Sequence, residues 1–250
     1  VDDLDMQISH VIRGDDHVNN TPRQINILQA LGADLPEYAH LPMILRADGK
    51  KMSKRDADVV SVAEYADLGI LPEALCNYLA RLGWAHGNEE MFSRQQFIDW
   101  FSLEAITPSP ARFDLEKLLW LNQQYLKALP SALLEEKILA LLPQVPLAYP
   151  SLSAVIALLR ERSRTLCELV EQVSMVYFPA APTPELTAQH FTDASVSLLQ
   201  NFVAKLDCLA ETEWQAPLLQ VLIKTFMAEQ GIKMPVLGLP LRLALFGTTH

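Results

Sequence analysis

Apolar residues recur along this chain with two different periods, and the change between them divides it. Near the start, Ile8, Val11 and Ile12 form a short β-branched run that reads as a buried strand. A second apolar stretch runs from His40 to Leu45. Between the two, Ile25, Ile27, Leu28 and Leu31 read as a helix, with Thr21 as its cap, Pro22 at its first position and Gly32 as its stop. The polar elbow Arg13-Gly14-Asp15-Asp16-His17 leaves the carboxyl end of the first strand, where open α/β sheets place ligands, so Arg13 is expected to face a crevice. From residue 63 onward the period becomes helical. Pro72 starts a helix through Leu75, Tyr78 and Leu79, and Leu115, Leu118, Leu119 and Asn122 share one helical face. Ser131 caps a run from Leu133 to Leu142 whose early Glu135 and Glu136 suit the positive end of a helix. Ser153 to Tyr177 reads as one long periodic segment, with Val155, Leu158, Leu159, Leu166, Leu169 and Val170 as its core. Further helices are expected at Val196–Leu206 and Ala216–Met227.

Composition narrows the class. The 250 residues are 50% hydrophobic with only 9 glycines, enough for a sizeable core and more than one domain. The 16 prolines fall largely between apolar segments, as punctuation between short helices. No uninterrupted run of about 18 or more apolar residues occurs, so no membrane helix is expected and a cytoplasmic location is the simplest reading. Cys76, Cys167 and Cys208 are widely spaced and read as buried free thiols, and the six histidines lack metal-ligand spacing, so no resident metal is expected. The four tryptophans, Trp84, Trp100, Trp120 and Trp214, read as core anchors.

The candidate chemistry lies just after the Asp48-Gly49 turn, in Lys51-Met52-Ser53-Lys54-Arg55. Two ammonium groups, a guanidinium and a hydroxyl in five residues suit the grip of a triphosphate and the charge that develops during displacement at phosphorus. Short basic runs are also common as solvated loops. The strand, polar elbow, helix and strand that precede this one favour a phosphate loop.

Val11-Ile12-Arg13-Gly14-Asp15-Asp16-His17, then Asn20-Thr21-Pro22-Arg23-Gln24, then the lysine loop stand in an order that resembles bacterial glutamyl-tRNA synthetases, class I aminoacyl-tRNA synthetases. The resemblance continues through Leu71-Pro72-Glu73-Ala74-Leu75, Asn77-Tyr78-Leu79, Leu82-Gly83-Trp84, Phe113-Asp114, Lys117-Leu118 and Trp120-Leu121-Asn122. It implies ATP-dependent activation of L-glutamate to glutamyl-adenylate, with Mg2+ accompanying the ATP, and transfer to the 3′ end of tRNA(Glu), by a monomer. Arg13 is assigned to the glutamate substrate and Asp16 to its ammonium or the nucleotide ribose. His17 lines the nucleotide pocket, as His40 could. Lys54 and then Lys51 act electrostatically on the triphosphate, and Ser53 and Arg55 join them. Arg160, Arg162 and Arg164 fall where the family reads its tRNA anticodon. In a continuous helix Arg160 and Arg164 would share a face while Arg162 turns away.

The fold implied is an α/β remnant of a Rossmann-type catalytic domain at 1–62, then a mostly helical stem-contact region at 63–130. An all-α anticodon-binding domain at 131–250 follows, itself divided near 184. The family's His-Ile-Gly-His-type ATP signature is absent, which gives the expectation of a piece lacking the start of the catalytic domain, doubtfully active alone. A non-catalytic tRNA-binding module is the alternative. Glutaminyl-tRNA synthetases share the catalytic layout, but the helical C-terminal half disfavours them. The net charge of −10 alone argues against a nucleic-acid partner, so the tRNA expectation rests on the resemblance and on local basic patches.

Overall fold

The computed structural model describes residues 2–52, 61–146 and 150–249, which form two compact units: Val1–Pro143 with Leu152–Val170, and Gln144–Ser151 with Glu171–His250.

The first unit opens with a short helix, α1 (Asp2–Asp5), and the strand β1 (His10–Gly14). β1 pairs in parallel with β2 (Glu37–Leu41), in a register running from His10 opposite Glu37 to Gly14 opposite Leu41. A parallel pair needs a crossover, here a 3-10 segment (Asp15–Asn20) followed by α2 (Thr21–Ala30). Asn20, rather than Thr21, holds the cap position, because the Thr21 hydroxyl is engaged by Arg13 and His40. The stop at Gly32 stands. Its φ of +70° suits a residue without Cβ, and the amides of Gly32 and Ala33 return to the carbonyls of Gln29 and Leu28, both at 3.0 Å.

The first strand is not the buried one expected. It begins at His10, leaving Ile8 outside it, and Ile12 is 46% exposed because β2 is its single partner among the described residues. The apolar stretch from His40 to Leu45 is also broken, at Pro42, which has no N–H to continue a ladder. After the break, β3 (Ile44–Leu45) pairs in parallel with β4 (Ala111–Arg112).

Further along are α3 (Glu64–Asp67), α4 (Pro72–Arg81), α5 (Arg94–Trp100) and α6 (Leu115–Ala128). Pro72 occupies the first turn of α4 as expected, Ser93 and Gln96 close a capping box on α5, and the Asp114 carboxylate caps α6. α4 packs on α6 through Leu75, Tyr78, Leu82, Leu118 and Leu121, while Leu79 and Leu115, read as members of the same helical patterns, are exposed. The Tyr78 hydroxyl accepts from the Asp114 amide at 2.6 Å and donates to the Asp114 carbonyl at 2.9 Å, tying α4 to the start of α6. Asn77 binds the loop at 90–92 through the Glu90 carbonyl and the Phe92 amide, and Tyr125 shares its hydroxyl proton between Asn77 and the Phe92 carbonyl. Trp84 is buried among Phe92, Phe97 and Phe101, but Trp120 and Trp214 are exposed, as are all three cysteines. On α6 the residues facing the core are Leu118, Leu121 and Asn122, which turns Trp120 outward.

α7 (Ser131–Leu141) places Ser131 inside its first turn, with Pro130 at the cap position and no side-chain cap bond. It packs against α8 (Leu152–Leu159), and α9 (Leu166–Tyr177) begins after six intervening residues, 160–165. The long helix expected from Ser153 to Tyr177 is therefore two helices, and Leu158 is 74% exposed. Local and tertiary bonds fix the break. Ser163 Oγ donates to the Leu159 carbonyl, Thr165 Oγ1 caps α9 by accepting from the Glu168 amide, and the Glu168 carboxylate accepts from the Arg164 amide. The buried Asn122 side chain donates to the carbonyls of Arg164 (2.7 Å) and Gly69 (3.3 Å) and accepts from the Leu71 amide (2.8 Å).

The second unit holds α10 (Pro184–His190), α11 (Asp193–Leu206), α12 (Ala216–Gln230) and α13 (Met234–Phe246), with the two C-terminal helices expected from the sequence present as α11 and α12. Thr183 and Thr192 cap α10 and α11, and Phe202, Phe226 and Leu237 form the core. Gly247 ends α13 at φ +71°, where a Cβ would come within 1.9 Å of the Ala180 carbonyl oxygen. The architecture is thus a parallel α/β portion followed by helices, in agreement with the expected fold class.

Replacing Asn122 by Ala strands one amide and two carbonyls in the interior. Asn122→Ala is expected to lower unfolding stability by about 2–4 kcal/mol in urea titration followed by near-ultraviolet signal, and a loss below about 1 kcal/mol would show the bridge to be dispensable.

Candidate active site

The site is built on the carboxyl ends of β1 and β2. Parallel register sets Arg13 beside His40, and the crossover brings Thr21, in the first turn of α2, against both. Thr21 Oγ1 accepts from Arg13 Nη2 at 2.9 Å and lies 3.1 Å from His40 Nε2. Arg13 Nη2 also reaches the His17 carbonyl at 3.5 Å, and the guanidinium carbon lies 5.5 Å from the centre of the Tyr38 ring. Arg13 Nε is buried without a hydrogen-bond partner. A half-buried guanidinium with an unused donor is suited to a carboxylate or a phosphate.

Lys51 reaches the same end of the sheet from a tight hairpin. The Gly49 amide donates to the Arg46 carbonyl at 2.9 Å, the Arg46 amide to the Lys50 carbonyl at 2.8 Å, and the Lys50 amide to Asp48 Oδ1 at 3.1 Å. Gly49 takes φ +82°, the left-handed position such a three-residue turn requires. Lys51 then pairs back across to Leu45, and its Nζ meets Asp16 Oδ2 at 2.8 Å. The Lys51 hydrogen bond is the largest cause holding the Asp16 carboxyl below the ordinary aspartate range, with the charges of Lys51 and His17 acting in the same direction. Gly14 makes room for this carboxylate, since a Cβ there would lie 2.6 Å from Asp16 Oδ1.

Of the residues singled out from the sequence, Arg13, Asp16, His17 and Lys51 are brought together around the strand ends. Ser53, Lys54 and Arg55 lie outside the described residues. The His17 side chain is exposed, with Nδ1 at 3.3 Å from Asn20 Nδ2. Asp15 makes no cap, and its Oδ1 is buried without a partner. Thr21 and Tyr38 are the site residues that sequence reading missed. The register that brings them to Arg13 follows from a strand–helix–strand crossover, but the hydroxyl of Thr21 had a ready local explanation as a cap. Among the described residues, no three His, Cys, Asp or Glu side chains converge where a metal ion could be held. No helix among them is long and apolar enough to cross a membrane.

The three arginines at 160–164 do not share a helix, so the face expected for Arg160 and Arg164 does not exist. Arg160 Nη2 donates to the carbonyls of Leu126 and Leu129, both at 2.9 Å, and to that of Lys127, closing the end of α6. Arg164 pairs with Glu116 at 2.8 Å and lies 4.0 Å from Glu168. Arg162 is exposed.

The model "tRNA synthetases class I (E and Q), catalytic domain" matches residues 1–120, and an anticodon-binding-domain model matches residues 119–250. A glutamate–tRNA ligase of Dechloromonas aromatica is 53% identical over 250 residues, which cover 99% of this chain and 53% of that protein. One of Chromobacterium violaceum is 52% identical over 256 residues, covering 100% of this chain and 54% of its own. The solved glutamate–tRNA ligase of Elizabethkingia meningosepticum, in complex with its amino acid, superposes with a TM-score of 0.75 at 28% identity, over 99% of this chain and 53% of that one. This chain spans about half the length of the curated relatives it matches.

Because the folded-state pKa of Asp16 is depressed, the Lys51–Asp16 contact is fully formed above the ordinary aspartate range and is lost as pH falls through the lowered value. Side-chain carboxyl NMR should find Asp16 titrating below an ordinary aspartate, and Lys51→Ala should raise its midpoint. An unmoved midpoint would mean that the pair does not persist in solution.

Proposed function

Since the chain belongs to the class I glutamyl-tRNA synthetases, we propose that it carries the glutamate- and phosphate-binding half of a glutamate–tRNA ligase site, together with the helical elements that engage tRNA(Glu). The observation that carries the reading is the half-buried Arg13 guanidinium at the strand end, with its Nε unused, beside the Lys51–Asp16 pair.

In the proposed reaction an oxygen of the glutamate α-carboxylate attacks the α-phosphorus of ATP in line. The bond to the pyrophosphate bridge breaks, and glutamyl-adenylate and pyrophosphate result. One oxygen of the α-carboxylate is the nucleophile, and Arg13, which the family resemblance gives to the glutamate substrate, is assigned to the side-chain carboxylate. Asp16 is assigned to the ammonium or the ribose, His17 to the wall of the nucleotide pocket, and Lys51 to the triphosphate, for which the phosphates compete with Asp16. Ser53, Lys54 and Arg55 are assigned to the triphosphate on their sequence position, and Mg2+ enters with the ATP as part of the substrate. A terminal hydroxyl of the tRNA then attacks the activated carbonyl and AMP leaves. No side-chain nucleophile is required.

Arg162 is proposed as the principal tRNA contact of its group, because it is exposed and an arginine can bind the acceptor edge of a base or stack on it. Arg164 joins it by exchanging Glu116 for the nucleic acid, and Arg160 supports them from the end of α6. The proposed division is the catalytic portion at 1–62, the stem-contact region at 63–130 and the anticodon-binding portion at 131–250, in a monomeric protein of the cytoplasm.

Fluorescence anisotropy at fixed moderate salt, with a glutamate-tRNA transcript and the same transcript carrying an altered anticodon, tests the reading. Tighter binding of the native anticodon is expected, with Arg162→Ala weakening it by about 1–3 kcal/mol if the contact is to a base edge. Equal binding of both transcripts would overturn the recognition role.

A further inference from the structure

Arginine can tell a carboxylate from a carboxamide only if its plane is held still. All its hydrogens are donors, so a carboxylate satisfies two parallel N–H groups, whereas a carboxamide presents one acceptor and one competing donor. A guanidinium free to swing would evade the clash, meet the amide oxygen with one N–H and lose its discrimination.

Arg13 is not free to swing. Its Nη2 donates to Thr21 Oγ1 at 2.9 Å and its face lies over Tyr38. With Nη2 pinned, the buried and unpartnered Nε is held in a fixed orientation, as a ligand acceptor requires. Thr21 has one hydroxyl proton, which must point away from the arginine for its oxygen to accept. Two acceptors lie within its reach, His40 Nε2 at 3.1 Å and the His17 carbonyl at 3.5 Å, and the nearer, His40, takes it when the imidazole carries its own hydrogen on Nδ1. The sheet supplies this second partner, because the parallel register fixes His40 opposite Arg13. The chain of contacts is therefore imidazole, hydroxyl, guanidinium, each fixing the next.

We propose that Thr21 and His40 are positioning residues that lock the Arg13 plane and thereby set the preference for glutamate over glutamine. The proposal rests on the assignment of Arg13 to the substrate side-chain carboxylate. It explains why the Thr21 hydroxyl turns from the end of its own helix to a tertiary partner.

The test uses glutamyl- and glutaminyl-sulfamoyl adenosine, stable adenylate analogues that differ by carboxylate against carboxamide, titrated calorimetrically into the full chain. Thr21→Val keeps the side-chain shape without the hydroxyl and is expected to reduce the glutamyl preference about tenfold, the order of one lost charged hydrogen bond. Thr21→Ser should restore it, and His40→Leu should reduce it in the same direction. A general loss of packing would weaken both analogues equally and leave the ratio unmoved. If Arg13→Leu removes the preference while Thr21→Val and His40→Leu leave it intact, the relay is overturned and the assignment of Arg13 survives. If the unaltered chain shows no preference, or Arg13→Leu preserves it, that assignment fails and the relay falls with it. A measurement without substitution guards against misfolded variants: the Arg13 Nε–H should show the 15N relaxation of an ordered group, and mobility matching that of the exposed Arg23 would also overturn the relay.

Discussion

One buried amide holds the first unit in register. Asn122 has three partners on two other segments, Gly69 and Leu71 ahead of α4 and Arg164 ahead of α9, and an interior of low polarity makes each of those bonds costly to leave unmade. With α6 fixed in this way, its cap residue Asp114 is set against Tyr78 of α4 by two further bonds. One residue, Phe113, separates Asp114 from β4, which pairs with β3, and β3 is the first arm of the hairpin that carries Lys51. A path of hydrogen bonds and short covalent connections thus leads from a fully buried asparagine to an ammonium group at the candidate site. The residues that look most like a family signature in the helical region, Asn77-Tyr78 and Trp120-Leu121-Asn122, include the ones that build this path.

Charge works on a different scale from packing here. The chain carries a net −10, yet the strand ends bring Arg13 and Lys51 together with Asp16 as the acid paired to Lys51. An overall negative field disfavours indiscriminate contact with polyanions, and the local cations remain available to an anion of the right shape. Arg160 shows how far residue type can mislead on this point. Its guanidinium serves three backbone carbonyls at the end of α6, a structural task that a lysine's single ammonium would perform less well.

What could be read from the sequence was set by residues whose effect is local. Pro22 and Gly32 delimit α2, Pro72 opens α4, and the C-terminal helices appear where their apolar periods stand, because each of these signals acts within a turn or two. The misreadings share a cause of the opposite kind. Thr21 looked like a cap until a strand neighbour claimed its hydroxyl, and the segment from Ser153 to Tyr177 looked continuous until Asn122 and Arg160, both distant in sequence or bonded to distant carbonyls, fixed the break at 160–165. Burial failed for a further reason. Ile8, Ile12, Trp120 and the cysteines have the composition of core residues, and which face of a strand or helix is covered is decided by what packs there. At the site, the register of β1 and β2 was implicit in the crossover pattern, but the triad of Arg13, Thr21 and His40 is made by contacts between three separate elements, which no local pattern announces.

The hairpin between Leu45 and Lys51 carries an evolutionary consequence. Side chains alternate across a strand, so inserting or deleting one residue in this turn would send the lysine to the opposite face and away from Asp16. Substitutions at Ala47 or Lys50 leave the count, and so the direction, unchanged. Ala47 and Lys50 should therefore drift freely in composition among descendants, while Asp48, whose carboxylate accepts from the Lys50 amide, and Gly49 are held, and the stretch remains closed to any change in length.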